Sequence, residues 1–110
     1  MPTYDWNIVI HILDTLTEDE YSFAEMADYA GRHFGRDPIT GSLHVLCERG
    51  LIAFFHGAAG EPRVLQKDWK RDVEDFFVIA QRDRENFASH FIELTDAGRQ
   101  VLGLFGIGHP

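Results

Sequence analysis

His44, Cys47 and Glu48 stand at positions i, i+3 and i+4 of the segment LHVLCERG. On a helix that spacing puts an imidazole, a thiol and a carboxylate on one face, donor types that a transition metal takes. His33 or His56 would have to approach to complete such a set. No second cysteine and no repeated ligand spacing accompanies them, so the expectation is no bound metal, with His44 and Cys47 as the only candidates. The acidic run Glu18, Asp19 and Glu20 has no histidine placed beside it by a motif and reads as solubilising charge. No Gly-rich turn follows a strand and opens a helix to cradle phosphate, and no nucleophile motif is present. The chain is therefore expected to be no enzyme and to use no cofactor.

A second group of side chains suits contact with DNA. Arg32, His33 and Arg36 fall in one turn and could grip phosphates. Thr40, Ser42 and His44 follow on the next helix and offer single hydrogen bonds to bases or phosphates. Arg63, Lys67, Lys70 and Arg71 could add contacts from a later segment. A helix that reads the major groove usually presents Arg or Lys to guanine, or Asn or Gln to adenine. The face expected to point outward carries Thr40, Gly41, His44, Cys47 and Glu48, with Ser42 at its edge, and has none of these. The formal net charge is −8, and residues 1–30 hold seven acids and no Lys or Arg. Residues 31–56 are slightly basic. A polyanion is repelled at long range by such a chain unless one face is locally basic.

The elements that must position these residues are mostly helical. YDWNIVIHILDTL spaces Trp6, Val9, Ile10, Leu13 and Leu16 as a helix, with Asp5 or Thr3 as cap, while Ile8 and Ile12 widen its apolar arc. SFAEMADYAGRHFG opens on a capping box of Ser22 and Glu25, turns Phe23, Ala27, Ala30 and Phe34 inward, and places Gly35 where a positive φ ends the helix. RDPITGSLHVLCERG takes Asp37 as cap and Pro38 as first helical residue, with Ile39, Leu43 and Leu46 inward and Gly50 as its end. LIAFFHG is a strand. After a loop, with a possible short strand at Arg63 to Gln66, residues 68–82 read as a helix capped by Asp68. The alternative is that FFVIA is a strand pairing with HFIEL; the apolar spacing reaching back to Trp69 favours the helix. SHFIEL is a strand, and TDAGRQVLGLF a last helix capped by Thr95. The length fits one domain, residues 1–110, with an insertion at about 57–88. No apolar run approaches the ~20 residues of a membrane helix. MPTYDWN has neither basic region nor cleavage site, and the single cysteine excludes an internal disulfide, so a cytoplasmic location is expected.

FAEMADYAGRHFGRDPITGSLHVLCERGLIAFF resembles the helix, turn, helix and Gly-Leu-Ile exit of winged helix-turn-helix proteins, and FIELTDAGRQVL is similar to the way such domains leave the wing. The resemblance is to bacterial regulators of the multiple-antibiotic-resistance type. It covers residues 22–55 and 91–102, about half the chain. It implies an α+β, mainly helical winged helix: a three-helix helix-turn-helix core, a small antiparallel sheet and a C-terminal helix, here with a helical insertion between the wing strands. It also implies a DNA-binding transcriptional regulator acting as a homodimer on double-stranded DNA. The dimer expectation draws further on the wide apolar arc of the first helix and on the tail LGLFGIGHP. The acidic charge, the unarmed third helix and the enlarged wing favour an alternative on the same fold: a protein-binding module, adaptor, immunity- or antitoxin-like, that uses an acidic surface without DNA. No membrane partner is expected.

Overall fold

A computed structural model describes residues 4–58 and 60–104. Thr3 and the tail from Phe105 onward, to which a cap and a dimer contact were assigned above, lie outside the described residues. The chain folds as a mostly helical α+β globule with a four-stranded antiparallel sheet. Its elements are α1 (Trp6–Thr15), β1 (Tyr21–Ser22), α2 (Phe23–Gly31), α3 (Arg36–Glu48), β2 (Ile52–His56), β3 (Val64–Leu65), α4 (Trp69–Glu74), α5 (Phe76–Glu85), β4 (His90–Leu94) and α6 (Asp96–Leu104). Among the described residues no helix is long and apolar enough to cross a membrane.

The caps set the helix starts. The Asp5 carboxylate accepts from the Asn7 N–H at 2.7 Å and opens α1. Ser22 and Glu25 form the expected reciprocal box, the Glu25 N–H donating to Ser22 Oγ at 3.0 Å and the Ser22 N–H to Glu25 Oε1 at 3.1 Å. The next junction differs from expectation. Phe34 N–H donates to the Ala30 carbonyl, and Gly35 has φ −75°, so Gly35 is the extended residue that starts α3. Helix α3 accordingly begins at Arg36, and Asp37 and Pro38 lie in its first turn. Gly50, at φ +69°, ends α3 as expected, since a Cβ disfavours that conformation.

α1 buries Ile8, Val9, Ile12, Leu13 and Leu16 against α3, α2 and α6. Trp6, expected inward, is half exposed because the chain has only just entered the helix there. The centre of the core is aromatic. Phe23 of α2 meets Phe54 of β2 at 4.8 Å and Phe76 of α5 at 5.0 Å between ring centroids, separations at which tilted and edge-on rings attract.

The sheet order is β1-β4-β2-β3. β4 lies between β1 and β2, with Phe54 opposite Ile92 and Tyr21 opposite Ile92 on the other side. Residues 57–89, close to the span expected as an insertion, therefore connect the two central strands. β3 pairs back on β2, Phe55 against Leu65. The stretch expected as one helix over 68–82 is two, broken at Asp75 (φ −99°, ψ 14°). The break re-aims the faces: α4 packs on α3, while α5 packs on α2. No strand forms over FFVIA, since Phe76, Ile79, Ala80 and Asp83 recur at helical spacing on the buried side.

Where the insertion returns to the sheet, Asp83 is buried and accepts from Ser89 N–H (3.0 Å), Ser89 hydroxyl (2.9 Å) and His90 N–H (3.1 Å). A second clip joins the exit of α3 to the start of α6. Thr95 hydroxyl donates to the Gly50 carbonyl at 2.6 Å and accepts from Gly98 N–H at 3.1 Å. A Cβ at Gly98 would overlap the Leu51 carbonyl oxygen and lie 2.6 Å from Leu94 Cδ1. That contact is the physical reason for glycine in LTDAGR.

Candidate functional site

The face of α3 is the first candidate, and most of it is inside the molecule. Ile39, Gly41, Ser42, Leu43, Val45, Leu46 and Cys47 are all buried. Ser42, expected at the edge of an outward face, is fully buried; its hydroxyl donates to the Pro38 carbonyl at 2.7 Å and accepts from Asp5 N–H at 3.4 Å, tying α3 to the start of α1. A hydroxyl so buried is out of reach of DNA, contrary to the expectation for Ser42. Gly41 and Cys47, also expected outward, are inside because α1 and α4 flank α3 on both sides.

Cys47 borders a 270 Å³ cavity with Ile52, Phe54, Leu65 and Trp69. Burial, with the Asp72 charge adding to it, pushes its thiol up to about 12. A thiol in that state is a poor nucleophile and a poor metal ligand. Among the described residues no three His, Cys, Asp or Glu side chains converge as a metal site, and the His44–Cys47 pairing does not form one.

What remains outward on α3 is a narrow stripe of Arg36, Asp37, Thr40, His44 and Glu48. Thr40 hydroxyl is turned back on its own helix, toward the Arg36 and Asp37 carbonyls. His44 lies 3.5 Å from Glu48 and meets the Trp69 ring of α4 edge-on at 5.1 Å. Helix α4 thus covers one side of the outward stripe of α3.

The remaining basic candidates separate. Arg63 is engaged by Glu20 and its guanidinium lies 3.5 Å from the Phe91 ring centroid, so it belongs to the sheet edge. Lys70 lies over Trp69 at 5.7 Å, Lys67 borders the Cys47 cavity, and Arg71 is exposed on α4. His33 is exposed beside the ring of His11, at 6.0 Å.

Arg32 and Arg36 do come together, in company that sequence reasoning missed. They line a groove of about 890 Å³ between the α2–α3 junction and α5, and Arg82 and Arg84 line its other wall. The Arg36 guanidinium sits 4.8 Å from the Phe77 ring centroid. Arg84 binds Asp28 at 2.5 Å and also Gln81. Arg82 and Arg84 were masked in the sequence by the alternating charges of QRDRE and by the undecided helix. Carrying the 3.6-residue period forward from Phe76 turns Asp83 inward and Arg82 outward, and would have revealed the wall.

The opposite character lies close by. Asp14, Glu18, Asp19, Glu25 and Asp28 are exposed on α1, its following turn and α2. Burial, and then the neighbouring Tyr29, Glu18, Glu25 and Asp19, push the Tyr21 phenol above its ordinary range. Comparison with family models, with curated proteins and with solved structures finds no match to this chain.

Proposed function

We propose that this chain is a non-enzymatic binding module of winged-helix type that engages a protein partner and does not read DNA sequence through α3. The element order, and the placing of β4 between β1 and β2, support the winged-helix reading with an insertion over residues 57–89. The observation that carries the functional reading is the packing of α4 on α3, with Trp69 against His44. A base-reading helix needs several side chains that reach past its own surface. Here the outward stripe offers one arginine, two carboxylates, a threonine bonded to its own helix and a histidine under a tryptophan. The charge of −8 adds to the case against a polyanion.

One observation favours DNA: Arg32 and Arg36 flank the start of α3 and share a groove with two further arginines. The two readings part in a titration of mixed duplex fragments. The protein-binding reading expects no saturable binding at ~0.15 M salt. Saturable binding that weakens steeply with salt, and that disappears in the double variant Arg32→Glu, Arg36→Glu, would instead support the regulator. We retain the homodimer within the proposal, because Tyr4, Trp6 and Leu104 leave apolar surface at the ends of α1 and α6, which pack together. Sedimentation at micromolar concentration tests it.

A further inference from the structure

We propose that the groove between α2 and α5 binds a short acidic peptide segment that also carries apolar side chains. This rests on the protein-binding reading above and names the class of segment recognised. Four of the ten Lys and Arg residues of an acidic chain surround this one groove, against two carboxylates, Asp28 and Glu85. Only Arg84 is neutralised; among the described residues Arg32 and Arg82 have no carboxylate within ion-pair distance. Arg36 lies over Phe77, with its π-face satisfied by the ring. Arginine binds carboxylate in a planar, two-pronged manner, which gives such a pair direction as well as attraction.

The floor decides between a peptide and a nucleic acid. It is built from Phe34, Phe77, Ala27 and Ala80, and Val78 at the rim is 67% exposed. A phosphate backbone gains nothing from apolar ground, and its regular charges would meet Asp28 and Glu85 as well as the arginines. A long polyanion also feels the net charge of the whole molecule, whereas a segment of a few residues feels charge within about one Debye length, ~8 Å. The groove opens down to the backbone at Gly31, where a Cβ would meet nothing within 4 Å. A large side chain there would fill the groove without touching the core.

The test is panning of a displayed random 12-residue peptide library against the full chain. Selected peptides are then measured on wild type, on Arg32→Glu with Arg82→Glu, and on Gly31→Trp. All substituted positions are exposed, and thermal melts establish that the variants fold. The expected result is enrichment of Asp and Glu interleaved with Leu, Ile or aromatic residues. Affinity should be lost at least tenfold in both variants and should fall as salt rises. Absence of enrichment, enriched peptides without acidic residues, or equal binding to the variants overturns the groove proposal while leaving the protein-binding reading standing. Binding of duplex DNA to wild type that is lost in the charge-reversed variant overturns both.

Discussion

The indole of Trp69 stands edge-on to the imidazole of His44, their centroids 5.1 Å apart, and so fastens α4 of the insertion to α3. The relationship joins residues 25 positions apart, one on each of two packed helices. With α1 on its other flank, this contact leaves α3 only a narrow outward stripe. Because Trp69 is only partly buried, Trp69→Ala should cost about 1–3 kcal/mol, below the range for a fully buried tryptophan. Urea denaturation checks this, and a loss under ~0.5 kcal/mol would show that α4 does not hold α3.

The Thr95–Gly98 clip should be sensitive to single atoms. Gly98→Ala drives a methyl into the Leu51 carbonyl and should destabilise by about 1–3 kcal/mol. Thr95→Ala removes the bond to Gly50 and the cap on Gly98 N–H and should cost about 1–2 kcal/mol, whereas Thr95→Ser keeps both. Equal stability of the alanine and serine variants at position 95 would contradict the hydroxyl's role.

Asp83 gathers three donors at the return of the insertion to the sheet. Asp83→Ala leaves them without their acceptor and should cost about 2–3 kcal/mol. Hydrogen exchange should show the amides of Ser89 and His90 losing protection before those of Phe54 and Ile92. Uniform loss across the sheet would mean that the clip is not local.

His11 should make the fold acid-sensitive. It stacks on Tyr29 at 4.9 Å, and its Nε2 is buried with no hydrogen-bond partner among the described residues. Burial, with the His33 charge adding and Asp14 partly opposing, holds its pKa below the ordinary 6.5. As pH falls, the unfolded chain takes the proton first. Stability is therefore complete above about 6.5, declines as pH drops below it, and stops declining on this account below the folded-state value. His11→Phe should flatten that slope in denaturant midpoints measured across pH. An unchanged slope would assign the acid sensitivity to other groups.

Cys47 should be inert to thiol reagents in the native state at neutral pH, given burial and a thiol at about 12, and should react once the chain unfolds. Its raised value also implies stability lost as pH climbs above its ordinary 9.0. Rapid labelling of the folded protein at pH 7 would contradict the buried placement.

The parts legible in the sequence were those written in local chemistry. Ser22 and Glu25 announce a helix start, Gly50 a helix end, and Thr95 a cap, because each acts on backbone within a few residues. The face of α3 was not legible in the same way. Ser42 and Cys47 are small enough to be either buried or exposed, and only the arrival of α1 and α4 decides. The arginine groove was hidden for the same reason: Arg32 and Arg82 lie far apart in the chain, and the break at Asp75 that aims α5 at α2 has no strong sequence mark.

Whether α3 reads bases is best decided by selection from a library of random duplexes at low salt. If α3 does not read bases, the fragments bound after several rounds should carry no common sequence. A shared palindromic site, lost when Thr40 and His44 are both changed to alanine, would contradict it and return the helix to the major groove.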